Sequence, residues 1–312
     1  MDWIYVGVGL AILLLAGDFL VKGAVNLSLR LGVPALIVSL TIVAFGTSAP
    51  ELLISINAIL DGVAGLALGN VVGSNTANVL LVLGVPALMA TMHTSECDTR
   101  NSYLQMIAAS VLFIGLCFWG DFTWMSGIIL LTALAAMLTW AAKQAMSHRK
   151  CAVDEEEIEG ADPSLPWGQI IFYLALGIIG LPLGASLLVD GAVDIATEFG
   201  ISETVIGLTL VAVGTSLPEL ATTVAAALRR QADVALGNVI GSNMFNLLGI
   251  MGVASLVGTV PVDQQFLTFD LWVMLGASLL LIPFVFMKVD INRTWGIALS
   301  VLYAIYIVVV LV

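Results

Sequence analysis

The chain is short of charge, and of positive charge above all. Only 10% of its 312 residues are charged, and ten Lys and Arg against 22 Asp and Glu give a net charge of −12. A nucleic-acid-binding protein needs a basic face to meet phosphates, so the composition excludes nucleic acid as a partner. Cysteine is also scarce. Cys97, Cys117 and Cys151 have neither metal-ligand spacing nor the arrangement of a disulfide framework.

Hydrophobic residues make up 60% of the chain, and the mean hydropathy is +1.08. The apolar runs are about 20 residues long, the length that crosses ~30 Å of hydrocarbon as a helix. We therefore predict an all-α membrane protein with ten transmembrane helices. The predicted spans are 3–24, 35–60, 66–91, 104–119, 124–143, 168–190, 204–228, 235–257, 268–287 and 294–312. The first has no basic n-region or small-residue cleavage site, so we expect a retained span and not a signal peptide.

The two halves of the sequence repeat each other. Gly23–Leu80 aligns without a gap with Gly191–Leu248, so that TIVAFGTSAPEL falls on TLVAVGTSLPEL and LGNVVGSNTANVL on LGNVIGSNMFNLL. Five spans on either side of one long polar connection make the second copy enter the membrane upside down. The predicted units are a first five-helix repeat (1–143), an acidic linker (144–167) and a second, inverted repeat (168–312). Inverted repeats around a site at the midplane are typical of secondary transporters.

The basic residues are segregated between the connections. All ten lie in the odd-numbered connections between spans: Lys22, Arg30, Arg100, Lys143, Arg149, Lys150, Arg229, Arg230, Lys288 and Arg293. Since cytoplasmic loops are enriched in Lys and Arg, we predict that the linker is cytoplasmic and that both termini lie outside. The expected location is the inner membrane of the cell, crossed many times. We expect the acidic run 154–159 to be a solvated loop, and Asp18 to pair with Lys22 one turn away.

One unusual motif, GTSxPE, interrupts an apolar span in each repeat. Its copies are 46–51 and 214–219. Proline removes an amide donor and glycine weakens the helix, so carbonyl groups near 44–47 and 212–215 should be freed. Irregular backbone at membrane depth is tolerated where it lines a cavity inside the protein.

Each copy of this motif ends in a glutamate, Glu51 and Glu219, deep within a span. A carboxylate there costs at least ~2.5 kcal/mol, and no Lys or Arg lies in the interior of any predicted span to offset it. A bound cation is the natural counter-charge. Carboxylates, hydroxyls and carbonyls form an all-oxygen ligand set, which suits Na⁺ and Ca²⁺.

A second motif, GNxxGSNxxN, also occurs twice, at 69–78 and 237–246. Ser74 and Asn78 are four residues apart and share one face of a helix, where their oxygens can complete a cation shell. Gly69 and Gly73 favour close helix packing. For Asn70, Asn75, Asn238 and Asn243, interhelical hydrogen bonds and support of the site are both open.

These motifs resemble the alpha repeats of the calcium/cation antiporter superfamily, specifically the bacterial and archaeal sodium/calcium exchangers. The resemblance implies that Glu51 and Glu219 are the central cation ligands and that the first and sixth spans slide as a gating pair. It also assigns ligand roles to hydroxyl, amide and carbonyl groups of Thr47, Ser48, Ser74, Asn78, Thr215, Ser216, Ser242, Ala44 and Ala212. Asn246 stands at a candidate ligand position where many exchangers carry Asp, which puts the usual three-sodium stoichiometry in doubt.

The resemblance implies exchange of Ca²⁺ for Na⁺, which bind as transported ions and not as cofactors. Exchange of Ca²⁺ for H⁺ is an alternative, with a buried glutamate as the proton carrier. A cation channel is a more remote one, because a channel needs an open multi-site pore. An enzyme is disfavoured, since no nucleophile–base pair or HExxH-like motif is present. The sequence does not predict the oligomeric state.

Overall fold

The computed structural model describes residues 2–97, 99–148, 162, 164–199 and 212–311. The described residues are helical and contain no β-strand beyond two isolated bridges, Met92 with Ile291 and Phe122 with Val260. We number the helices as follows: α1 Asp2–Leu31, α2 Ala35–Thr47, α3 Ala49–Leu60, α4 Gly65–Met89, α5 Arg100–Trp119, α6 Trp124–His148, α7 Trp167–Glu198, α8 Ala212–Thr215, α9 Leu217–Leu228, α10 Ala232–Val257, α11 Phe266–Phe286 and α12 Arg293–Leu311.

Within the described ranges, eight helices are long and apolar enough to cross a membrane, and the pair α2–α3 adds one bent span. The predicted all-helical membrane protein is therefore confirmed. The predicted seventh span is seen only from residue 212 onward, as α8 and α9, since 200–211 lie outside the described residues. The acidic run 154–159 also lies outside them.

Two helices form the centre of the molecule. In α4 and α10, 78% and 83% of the membrane-length window is buried inside the protein, against 17% in α12. Both central helices carry the second sequence motif, whose small and amide-bearing residues allow close packing. The motif thus lies where protein, and not lipid, surrounds it.

Helices α1 and α7 pack along each other through glycines. A Cβ atom added at Gly177 would lie 2.5 Å from Leu20 Cβ, and one added at Gly9 would lie 2.6 Å from the backbone nitrogen of Leu188. Such distances leave no room for a side chain, so glycine is what permits this crossing. A separate apolar cluster, including Leu13, fills the interface of the pair.

Both of these helices are longer than their predicted spans, 3–24 and 168–190. Helix α1 runs through Leu31, so Lys22 and Arg30 lie on the helix and not in a loop. Both nitrogens Nε and Nη2 of Arg30 donate to the Leu165 carbonyl, and Asn26 Oδ1 accepts from the Asp162 amide. These bonds anchor the last turns of α1 to the segment just before α7.

The predicted ion pair between Asp18 and Lys22 is wrong. Asp18 Oδ1 accepts a hydrogen bond from Arg229 Nε at 2.6 Å, and Lys22 Nζ lies 4.8 Å from the ring centre of Tyr173. Asp162 is exposed near the same end of α1. Hydrogen bonds from the Ser164 hydroxyl and amide hold the pKa of Asp162 below its ordinary value.

Candidate functional site

The first copy of GTSxPE lies at the break between α2 and α3. Ser48 leaves the helical conformation, with φ −85° and ψ 5°, and the axes of the two helices differ by 42°. Pro50 stands in the first turn of α3, where a missing amide donor costs little. The predicted interruption is therefore present and places the following residue, Glu51, at the start of a new helix.

The second copy is built in the same way. Ser216 separates α8 from α9 with φ −87° and ψ 3°, and Pro218 stands in the first turn of α9. Glu219 consequently occupies the same place in the first turn of α9 as Glu51 does in α3. The positive end of each short helix dipole favours a carboxylate there.

Both carboxylates are withdrawn from solvent, with Glu51 1% and Glu219 0% exposed. Ser48, three residues before Glu51, lies within hydrogen-bonding distance of Glu219 Oε1, so the two acids belong to one buried region. Oxygen Oε2 of each has no hydrogen-bond partner among the described residues, and no Lys, Arg or His in those ranges contacts either group. Two adjacent buried acids with vacant oxygens are the arrangement that a cation would stabilise.

Hydroxyl groups from both halves surround Glu219. Ser48 Oγ donates to Glu219 Oε1 at 3.0 Å, and Ser242 Oγ lies 3.5 Å from the same oxygen. The hydroxyl of Thr47 lies within hydrogen-bonding distance of Asn238 Oδ1 and Ser242 Oγ, at 3.3 and 3.4 Å. The first copy of the GTSxPE motif therefore reaches the second copy of the GNxxGSNxxN motif across the interface of the repeats.

Two asparagines hold the glutamate helices in place. Asn70 Nδ2 donates to the Glu51 carbonyl at 3.1 Å and to Ser55 Oγ at 3.0 Å. Asn238 Nδ2 makes the equivalent bonds in the second half, to the Glu219 carbonyl at 3.3 Å and to Thr223 Oγ1 at 3.2 Å. These contacts answer the question left open by the sequence for Asn70 and Asn238, which fix the backbone of the acids.

Sequence reasoning missed Ser55 and Thr223. A signal was available, because each follows its glutamate by four residues and the two positions align in the repeat. Residues four apart lie on one face of a helix. A hydroxyl in that place can meet whatever contacts the glutamate from the neighbouring helix.

Amide groups continue the polar region beyond the glutamates. Asn78 Nδ2 donates to Asn243 Oδ1 at 3.0 Å, while Asn78 Oδ1 has no partner among the described residues. Asn246 is 0% exposed, and neither its Oδ1 nor its Nδ2 is hydrogen-bonded to a described residue. It lies in the π-helical segment Phe245–Ile250, whereas Asn78 lies in regular α-helix. Buried amides without partners indicate a place for an ion or water.

The comparisons with known proteins agree with this geometry. The family described as sodium/calcium exchanger protein matches residues 1–143 and 169–312. The chain belongs to the sodium/calcium exchanger family. It is 34% identical to the sodium/calcium exchanger MaX1 of Methanosarcina acetivorans, over 96% of both chains. It is 35% identical to the inner membrane protein YrbG of Escherichia coli (strain K12), over 88% of this chain and 85% of that protein.

A solved structure shares the fold of this exchanger. The sodium–calcium exchanger NCX_Mj, soaked with zero Na⁺ and Ca²⁺, superposes with a TM-score of 0.84 at 33% identity, covering 99% of this chain and 98% of that one. The family and the fold make this chain a membrane-spanning cation antiporter. They also point to a transporter and not to an enzyme.

The exchanger brings some of the predicted site residues into contact and buries others. Thr47, Ser48 and Ser242 contact one another or Glu219, as described above. Four further predicted residues are buried: Ser74 at 5%, Asn78 at 1%, Thr215 at 8% and Ser216 at 1% exposure. Ser216 Oγ has no partner in the described ranges.

The carbonyl groups of Ala44 and Ala212 were both predicted to be ligands, and the structure describes the contacts of Ala44 only. The Ala44 carbonyl accepts hydrogen bonds from Ser48 N at 3.0 Å and from Thr47 Oγ1 at 3.2 Å. It is therefore not free in this conformation, contrary to the expectation for carbonyls next to Pro50. Ala212 begins α8, and its side chain lies outside the described residues.

Among the described residues, neither of the two main cavities reaches the buried glutamates. A cavity of about 260 Å³ lies near Trp119 and Asp121, and a smaller crevice lies beside Thr41 and Phe245. Neither is lined by a predicted ligand. A buried set of carboxylate, hydroxyl and amide oxygens can bind a hard cation.

Proposed function

We propose that this exchanger moves Ca²⁺ against Na⁺ by alternating access at one site between Glu51 and Glu219. The observation that carries the proposal is the pair of buried carboxylates, 1% and 0% exposed, each with an oxygen that no described residue satisfies. A pair of like charges without a counter-charge is stable in a membrane only when a cation or proton neutralises it.

The proposed ligands are oxygens of the carboxylates, of hydroxyl and amide side chains, and of two backbone carbonyls. They belong to Glu51, Glu219, Thr47, Ser48, Ser74, Asn78, Thr215, Ser216, Ser242, Asn246, Ala44 and Ala212. Only two of these groups carry negative charge. One Ca²⁺ or two Na⁺ would therefore neutralise the site, and both ions are transported substrates and not cofactors.

The proposed architecture is ten spans in two inverted repeats, 1–143 and 168–312, with both termini outside and the linker 144–167 in the cytoplasm. The segregation of all ten Lys and Arg residues supports this orientation. The name of the relative YrbG supports the inner membrane as the location. The glycine-mediated crossing of α1 and α7 supports a gating pair, because helices packed this closely tend to move together.

Exchange of Ca²⁺ for protons is the second candidate. The observation that favours it is that each buried carboxylate has an oxygen without a partner among the described residues, since a proton as well as a metal cation can neutralise such a group. In that mechanism one glutamate would carry the proton in the return step. Both mechanisms use the same site and differ in the ion that drives Ca²⁺.

Ion-driven uptake of ⁴⁵Ca into proteoliposomes of the purified exchanger separates the two. We expect an outward Na⁺ gradient at equal pH to drive uptake, and an outward H⁺ gradient without Na⁺ to leave uptake at the level of protein-free liposomes. Uptake driven by the H⁺ gradient alone would replace the Na⁺ proposal by the proton mechanism. Uptake driven by neither gradient would contradict antiport of Ca²⁺ altogether.

A further inference from the structure

An ion pair ties helix α1 to the end of helix α9. Asp18 Oδ1 and Arg229 Nε are 2.6 Å apart, with side-chain exposures of 44% and 24%. The contact joins residues far apart in the sequence and from different repeats. Asp18 lies on one of the two helices that we assign to the gate, and Arg229 lies just after the helix that begins with the Glu219 motif.

The backbones of the two helices meet beside this ion pair. A Cβ atom added at Gly17 would lie 2.8 Å from the Ala221 carbonyl oxygen. Ala221 and Ala225 are 7% and 8% exposed. Helix α1 therefore lies against α9, and the ion pair of Asp18 with Arg229 adds a polar contact beside this apolar interface.

The aligned positions of the other repeat carry different residues and have no ion pair. Continued toward the N-terminus, the repeat alignment pairs Gly17 and Asp18 with Ala185 and Ser186 of α7, and it pairs Arg229 with Asp61. A serine and an aspartate form no ion pair.

The helix face that corresponds to the covered face of α9 is open. Leu53 and Asn57 of α3 align with Ala221 and Ala225. Leu53 is 62% exposed, and Asn57 is exposed as well. Within the described part of the chain, α1 thus covers α9, whereas α7 does not cover the aligned face of α3. A symmetric partner conformation would reverse these two contacts.

We propose that Asp18 and Arg229 form a latch that favours the conformation seen here over the conformation in which α7 closes over α3. The inference deepens the proposed function, on which it rests, by naming a residue pair outside the ion site that sets the balance between the two access states. The latch has no counterpart in the other half, so it stabilises one state only. Because both charges are partly exposed, we expect a shift of about two- to fivefold in the ratio of the states.

A pair of introduced cysteines can report the other state. Leu53→Cys and Ala185→Cys occupy the positions that align with Ala221 and Gly17, which touch in the present conformation. The background is an exchanger in which Cys97, Cys117 and Cys151 are replaced by serine. The initial rate of oxidative cross-linking in proteoliposomes then measures how often α7 closes over α3.

We expect Arg229→Gln and Asp18→Asn each to raise this cross-linking rate about two- to fivefold over the parent. If one of these two variants fails to fold, the other still tests the ion pair. The charge-reversed double variant Asp18→Arg with Arg229→Asp should return the rate toward the parent. The matched control is Arg230→Gln, since Arg230 is the neighbouring exposed cation and should leave the rate unchanged.

Equal cross-linking in the parent, Arg229→Gln and Asp18→Asn would overturn the latch, as would the absence of cross-linking in all of them. An equal rise in Arg230→Gln would also overturn it, because the effect would then be one of general charge. The cross-linking readout needs no transport. A failure of Ca²⁺ flux in the unmodified exchanger would therefore count against the proposed function, separately from the latch.

Discussion

Ser48 donates a hydrogen bond of 3.0 Å to Glu219, from the opposite repeat, whereas Ser216 makes no such bond to Glu51. The two serines occupy the same position in their motifs, and both are buried. Glu219 thus receives a hydroxyl hydrogen bond from the opposite repeat in this conformation, while the aligned serine gives none to Glu51. This asymmetry at the site accompanies the asymmetry of the proposed gate, where α1 covers α9 but the aligned face of α3, with Leu53, is exposed.

The two serines should therefore respond unequally to substitution. We expect Ser48→Ala to weaken apparent Ca²⁺ affinity about tenfold, because a hydrogen bond to a charged group is worth about 1.5 kcal/mol or more. Ser216→Ala, its matched control, has no such bond to lose in this state and should change the affinity less. Concentration dependence of ⁴⁵Ca uptake measures both, and equal losses would show that the asymmetry has no bearing on binding.

The carboxylates themselves should be indispensable. We expect Glu51→Gln and Glu219→Gln each to lower exchange at least ~100-fold, because loss of one member of a buried charged set costs about 3–5 kcal/mol. Gln keeps the size of the side chain, so the protein should still elute as a monodisperse peak. Asp61→Asn, at an exposed carboxylate, is the control and should exchange normally. Near-normal Ca²⁺ flux in either Gln variant would contradict the site.

Three features of the protein could be predicted from the sequence: the two glutamates, the helix breaks beside them and the membrane spans. Paired motifs marked Glu51 and Glu219, and proline beside glycine marked the breaks at Ser48 and Ser216. Long apolar runs marked the spans. These features are local, so their physical meaning can be read from spacing alone.

Contacts between residues far apart in the sequence could not be predicted from it. Asp18 has a closer cation in the sequence, Lys22, yet it pairs with Arg229, because helix packing and not sequence distance decides which charges meet. The repeat alignment also gave no sign that, in the described residues, α1 covers α9 while the aligned face of α3 is exposed. A sequence encodes both states of a transporter, and a single conformation shows one of them.

Glycines that align in the repeat should differ in their tolerance of a side chain. A Cβ atom at Gly241 would lie 2.6 Å from the Leu40 carbonyl oxygen and 2.7 Å from Ala44 Cβ, whereas one at Gly73 would meet nothing described within 4 Å. The close packing expected at the first repeat is therefore found at the second. We expect Gly241→Ala to destabilise the protein by about 1–3 kcal/mol through overpacking.

Gly73→Ala is the matched control for that substitution. Replacing a helical glycine without a clash should be neutral or stabilising by up to ~1 kcal/mol. Thermal unfolding of both variants in detergent measures the difference. A melting temperature of Gly241→Ala equal to that of the parent would show that α10 and α2 can separate without loss.

The orientation in the membrane can be tested from one side. We predict that a cysteine introduced at position 155 is protected from an impermeant maleimide in intact cells, and that one introduced at position 62 is labelled. The reason is that the connection after α3 has no Lys or Arg, whereas the linker has three nearby. Permeabilised cells supply the control, since both positions should then react. Strong labelling at 155 in intact cells would reverse the topology.

The charge that moves in each transport cycle depends on Asn246. Asn246 is fully buried and neutral, so the site offers two carboxylates and no third. States filled by one Ca²⁺ or by two Na⁺ then have the same total charge, and a cycle between them moves no net charge across the membrane.

We therefore expect Na⁺-driven Ca²⁺ flux to be the same at 0 and about −100 mV, with the potential set by potassium and valinomycin. A net movement of one charge would be worth ~2.3 kcal/mol per 100 mV, enough to change the flux visibly. Asn246→Asp adds a third acid, which should admit a further monovalent ion and make the flux respond to potential. The unmodified exchanger and this variant thus form a matched pair that differs by one charge at one buried position. Voltage-dependent flux in the unmodified protein would mean that three or more Na⁺ move per Ca²⁺, and that neutral oxygens can hold the additional ion without the charge of an aspartate.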